Sequence, residues 1–175
     1  MPVVTPRLLP RCALAGLAVF LAACSTSTGG GTGGSSTSVS VCAGDPRATA
    51  YTVGLSAKAA DGAFKVTFMD AMPAPPSKGA NTWTVQITDA AGRPVTGAKV
   101  AVKPFMPDHG HGSSITPQVM PMGTDGTYQI TLLELFMPGI WQITLSITPD
   151  VGAPDAGTPD AGAPDAVVFT FCVDG

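Results

Sequence analysis

Thr82-Trp83-Thr84-Val85-Gln86-Ile87-Thr88 and Trp141-Gln142-Ile143-Thr144-Leu145-Ser146-Ile147 alternate apolar and polar side chains without a break. A period of two sends successive side chains to opposite faces of an extended chain, whereas a helix would repeat its apolar positions every three or four residues. One face of each segment is therefore dry and the other wet, as on a strand of a two-layered β protein. The same alternation recurs in Ala63–Met69, Lys99–Lys103, Tyr128–Leu132 and Val167–Cys172, and Tyr51–Ala57 reads as a further strand. The segments between them carry turn chemistry: Asp61-Gly62, Asp89 to Pro94, Asp125-Gly126 and Pro138-Gly139. No segment has a convincing helical period. About seven short strands at this spacing predict an all-β fold, an immunoglobulin-like β-sandwich. Trp83, Val85, Ile87, Val100, Val102, Ile130, Leu132, Trp141, Ile143 and Leu145 are the expected core.

Outside these strands the chain changes character. Arg7 and Arg11 precede an apolar run of eleven residues, Ala13–Ala23. A bilayer core needs about 20 residues, so the run suits the hydrophobic part of a signal peptide and not a membrane span. It ends in Leu21-Ala22-Ala23-Cys24, which resembles the lipobox of bacterial lipoproteins. The resemblance implies a signal peptide over 1–23, cleavage before Cys24 and lipidation of its thiol. Acyl chains at about 0.8 kcal/mol per buried CH₂ would anchor the protein stably once two or three are attached. Ser25 in place of Asp after the cysteine points to the outer membrane, or at least to a periplasm-facing membrane surface.

Residues 24–40 continue as a Gly/Ser/Thr tether with no charged side chain. Such a composition cannot bury enough surface to offset its ordering entropy, and sixteen residues of it (Ser25–Ser40) reach roughly 20–25 Å. A second biased stretch, 152–166, contains three near-copies of Pro-Asp-Ala and reads as a solvated insertion between two strands. One folded domain, 41–175, remains.

Composition narrows the partners. The formal charge is −3, and loss of Arg7 and Arg11 with the signal leaves −5. With no basic patch, nucleic acid is not an expected partner. There is no phosphate-binding glycine loop before a helix and no Gly-x-Ser-x-Gly elbow. Glu134 is the sole glutamate, so a paired-glutamate mechanism is absent. No enzymatic activity is expected. Of the four cysteines, Cys12 leaves with the signal and Cys24 takes the lipid, leaving Cys42 and Cys172 at the two ends of the domain. Export puts that pair in an oxidising compartment, which predicts a disulfide.

Chemistry-bearing side chains gather between 104 and 123. Both histidines, His109 and His111, stand two residues apart among glycines, flanked by Met106, Met120 and Met122. On an extended backbone i and i+2 point the same way, so two imidazoles can face one ion, and a hairpin would bring Met120 and Met122 to them. Imidazole with thioether is a soft, uncharged donor set that suits copper, with Asp108 available for the cupric form. The competing reading is structural: the methionines fill the core and the histidines sit in a solvated turn.

Gly92-Arg93-Pro94-Val95-Thr96-Gly97-Ala98-Lys99-Val100, Met106-Pro107-Asp108-His109-Gly110-His111-Gly112, Gly126-Thr127-Tyr128 and Phe136-Met137-Pro138-Gly139-Ile140-Trp141 follow one another in an order that resembles the YtkA-like domain, related to FixH-type proteins. The resemblance spans about residues 80–148. It implies an exported immunoglobulin-like domain associated with metal handling or respiratory oxidases, with no established enzymatic activity. FixH-type proteins are held by a transmembrane helix, whereas here a lipid would do that work. The expectation is a lipid-anchored binding module that captures or passes on copper. The alternatives are a metal-free protein-interaction domain and an accessory subunit of a membrane complex.

Overall fold

The computed structural model describes residues 40–150 and 164–175. The expected signal peptide, lipidated Cys24, the tether up to residue 39 and residues 152–163 of the insertion lie outside the described residues.

Nine strands are found among the described residues: β1 (Ser56–Lys58), β2 (Phe64–Met72), β3 (Gly79–Asp89), β4 (Lys99–Met106), β5 (His111–Gly112), β6 (Gln118–Pro121), β7 (Thr127–Leu135), β8 (Gly139–Thr148) and β9 (Asp165–Val173). They form two antiparallel sheets, ordered β1-β2-β3-β7-β6 and β5-β4-β8-β9. The run β2-β3-β7-β6 facing β4-β8-β9 is the A-B-E-D and C-F-G arrangement of an immunoglobulin-like sandwich. β1 overlaps the end of the expected Tyr51–Ala57 strand, so the two strands beyond the expected seven are β5 and β6, two and four residues long.

The alternating residues do what their period requires. Val66, Phe68, Trp83, Val85, Ile87, Ile130, Trp141, Ile143 and Leu145 are buried between the sheets. At the centre Phe68 meets Trp83 and Phe169 edge-on, each with ring centroids 4.9 Å apart, a preferred aromatic geometry. Two bulges reset the alternation. Met69 is the extra residue of β2 opposite β3, and β7 gains a residue between its pairings Trp83↔Ile130 and Asn81↔Leu133. Leu132 falls in that second bulge with φ 54°, so it is exposed and not in the core as expected, while Leu133 and Leu135 turn inward in its place. Val100 is only half-buried. Tyr51–Leu55 is irregular with a turn at Val53-Gly54, and strand begins only at Ser56. Asp165 and Ala166, expected in the insertion, already pair with β8 as the start of β9.

The two remaining cysteines form the predicted disulfide, with Cα atoms 5.9 Å apart and a sequence separation of 130. Cys42 lies in a turn and not on a first strand, so the bridge ties the segment leading into the sandwich to the end of β9. Further along that segment, the Thr49 amide donates to the Thr170 carbonyl at 2.8 Å.

Candidate metal centre

The β4–β5 hairpin is built by four residues. Pro107 supplies a fixed φ for the start of the turn. The Met106 carbonyl accepts from the amides of His109 (3.2 Å) and Gly110 (2.9 Å). Gly110, at φ 69°, sends the chain back. Gly112 then lies opposite Phe105, so close that a Cβ there would stand 2.5 Å from the Pro104 carbonyl oxygen. Only glycine lets β5 approach β4 in this way.

This hairpin presents both imidazoles to solvent. His109 is in the turn and His111 is the first residue of β5. Their ring centroids are 5.7 Å apart with planes inclined by 60°. With metal–nitrogen bonds of about 2.0 Å and about 1.1 Å from ring centre to nitrogen, two imidazoles on one ion have centroids up to about 6.2 Å apart. The observed separation falls inside that limit and corresponds to a wide nitrogen–metal–nitrogen angle. The turn brings the rings together, because His109 is not on the extended backbone that the spacing suggested. His111 Nδ1 lies 3.3 Å from the Gly112 carbonyl oxygen. With its proton on Nδ1 directed at that oxygen, the ring would offer the Nε2 lone pair to a metal ion.

The methionines do not join the histidines through a hairpin. Met106 pairs directly with His111 and so shares its face of the sheet, but it is 0% exposed and belongs to the core. Met120 lies in β6 of the other sheet, and Met122 follows that strand. Met120 pairs with Gln129 between two positions whose partners, Ile130 and Tyr128, are buried, so it faces outward and is 48% exposed. Met122 is 47% exposed beyond the end of β6. Among the described residues no three His, Cys, Asp or Glu side chains gather as a metal cluster.

Asp108 is engaged elsewhere. Arg47 Nη1 donates to its Oδ1 at 2.6 Å and Nη2 to its Oδ2 at 2.8 Å. The same guanidinium also binds Asp45, with Nη2 to Oδ2 at 2.7 Å. The hydrogen bonds from Arg47 hold the carboxyls of both Asp108 and Asp45 below the ordinary carboxylate range, and the arginine is pushed further up. Sequence reasoning missed Arg47 entirely. It sits 61 residues from Asp108, outside every alternating segment, and no local pattern marks it.

The two most specific motif elements interlock. The Met106 methyl lies 2.9 Å from where a Cβ on Gly139 would stand, and Gly139 has φ 133°. The Trp141 indole N–H donates to the Met137 carbonyl at 2.8 Å. Met-Pro-x-His-Gly-His and Met-Pro-Gly-x-Trp thus pack against each other at one end of the sandwich. That contact accounts for Met106, Gly139 and Trp141. The turn accounts for Pro107 and Gly110, and the tight strand approach for Gly112. None of the three accounts for the imidazoles.

No curated protein matches the chain. Solved structures that match the chain include two of one protein. FetP of uropathogenic E. coli strain F11, as isolated after recombinant expression in the periplasm, is 16% identical, with 71% of this chain and 96% of that one covered and a TM-score of 0.47. A copper-bound variant of the same FetP, with one glutamate replaced by glutamine, is 15% identical, with 71% and 97% covered and the same TM-score of 0.47. The YtkA-like family model matches residues 56–146, more than half of the sequence and all of the interlocked motifs. This chain is therefore a member of the YtkA-like family.

Proposed function

We propose that this protein is an exported, lipid-anchored binding module that captures copper at one end of its sandwich through the imidazoles of His109 and His111, without a catalytic role. The observation that carries this reading is the 5.7 Å separation of the two rings on a hairpin whose other residues all have structural explanations. Two neutral nitrogen donors suit copper over the hard cations, which take oxygen ligands. The lipobox ending at Cys24 supports an anchor, and the alternation of a tether with a compact domain supports a site held off the membrane surface. Met120, outward on the other sheet, and Met122, exposed beyond its β6 strand, are not needed as ligands. Met106 pairs with His111 across the hairpin but is buried in the core, so it is not needed as a ligand.

Titration of the full-length protein with Cu(I) against a competing chromophoric chelator tests the reading. One equivalent is expected to bind, and His109→Ala and His111→Ala are each expected to weaken it by about tenfold or more. Binding that is unchanged in both variants excludes this site. A structural reading of the motif is favoured by one observation, the burial of Met106. It predicts no copper binding at the hairpin and little change in stability on replacing either exposed histidine.

A further inference from the structure

Asp108 immediately precedes His109 and is the only carboxylate between Met106 and Ser114. Released into solvent, it could add a hard oxygen donor to the two imidazoles. The resulting set of two nitrogens and one carboxylate is the kind that holds zinc and suits cupric copper. Without it the pair is neutral and suits the low-coordinate cuprous ion. In the structure both Asp108 oxygens are taken by Arg47, at 2.6 and 2.8 Å. Such a bidentate, charge-assisted pair fixes geometry as well as charge.

Arg47 is not a loose surface side chain that happens to reach the turn. Its backbone is tied on both sides to β9, by Cys42–Cys172 upstream and by the Thr49 amide on the Thr170 carbonyl downstream. Asp45 steadies it further: Arg47 Nε donates to Asp45 Oδ1 at 3.1 Å, and the Arg47 amide donates to the same oxygen at 2.9 Å. The disulfide-bound segment therefore delivers a guanidinium to the one carboxylate beside the histidines.

We propose that Arg47 is a specificity-determining residue, which keeps Asp108 out of the coordination sphere and so tunes the His109–His111 site towards cuprous copper and against zinc and cupric ions. The proposal rests on the copper reading of the histidine pair. Three forms of the full-length protein test it: the natural sequence, Arg47→Gln, and Arg47→Gln combined with Asp108→Asn. Each is titrated with Cu(I), Cu(II) and Zn(II) against competing chelators, and the Cu(II) forms are examined by electron paramagnetic resonance. Arg47→Gln is expected to raise Zn(II) and Cu(II) affinity about tenfold and to leave Cu(I) affinity within about twofold, and adding Asp108→Asn is expected to abolish the gain. The Cu(II) spectrum should gain oxygen-donor character in Arg47→Gln alone. Divalent affinity unchanged in Arg47→Gln, or a gain that survives Asp108→Asn, overturns the proposal while leaving the copper reading intact. Copper binding that ignores His109→Ala and His111→Ala overturns the copper reading, and this proposal with it.

Discussion

Replacing Gly112 with alanine tests whether the tight β4–β5 approach is what presents the histidines. The added Cβ would lie 2.5 Å from the Pro104 carbonyl oxygen, a backbone atom in a strand paired on its other side with β8. Ordinary carbon–oxygen contacts begin near about 3.3 Å, so one strand must give by about 0.8 Å. Two outcomes compete. Keeping the pairing stores overpacking strain of about 1–3 kcal/mol. Letting β5 peel away forfeits only its two residue pairs, Phe105↔Gly112 and Met106↔His111, with a net loss of about 1–2 kcal/mol in hydrogen bonds and cross-strand contacts. The cheaper route caps the damage, so the stability loss is expected at about 1–2 kcal/mol, or about 4–8 °C in Tm for a domain of this size. The effect on the site is larger in proportion, because His111 loses the strand that holds it beside His109. Copper affinity is expected to fall about tenfold or more. Thermal melts and copper titration of Gly112→Ala are the assays. Gly110→Asn is the control, since it shares the hairpin but meets nothing within 4 Å and Asn tolerates a positive φ. Full Tm and full copper affinity in Gly112→Ala would refute the claim that the close approach organises the site.

Replacing Cys42 and Cys172 by serine opens a loop closed over 130 residues, and the chain-entropy argument sets the loss at up to about 5 kcal/mol, read from denaturant unfolding. Tyr128→Phe removes a hydroxyl that donates to the Val95 carbonyl at 3.0 Å and accepts from the Ala98 amide at 3.1 Å, and a loss of about 1–3 kcal/mol is expected in the same assay. The Arg47 hydrogen bonds lower the Asp108 pKa in the folded state, so the unfolded chain takes up that proton more readily. The stabilisation from this pair is therefore complete above the ordinary value of 3.8 and lost as pH falls through the lower folded value. A carboxyl NMR titration should show Asp108 moving up to the ordinary range in Arg47→Gln.

Much of the fold was written in the alternation itself. The six long strands had residues enough to display a period of two, and the cysteine pair emerged once the lipobox-like motif had set the other two thiols aside. What escaped was local geometry that alternation does not encode. A single bulge at Leu132 reverses which residues face inward, and nothing in Tyr128–Leu135 announces the extra residue. β5 has two residues and no period to read. Met106 could have been placed from parity, because Val102, Pro104 and Met106 continue one inward face, but the proline masked the strand. The imidazole pair was legible by composition, although a turn and not an extended chain sets its geometry. Arg47 was not legible, because its role depends on a crossing of the fold that only the folded backbone creates.

X-ray absorption on the Cu(I)-loaded protein tests the central claim most directly. Two imidazole nitrogens on one copper are expected, with their ring scattering lost in both His109→Ala and His111→Ala. A shell dominated by sulfur, or an imidazole pattern that outlasts both substitutions, would contradict the account.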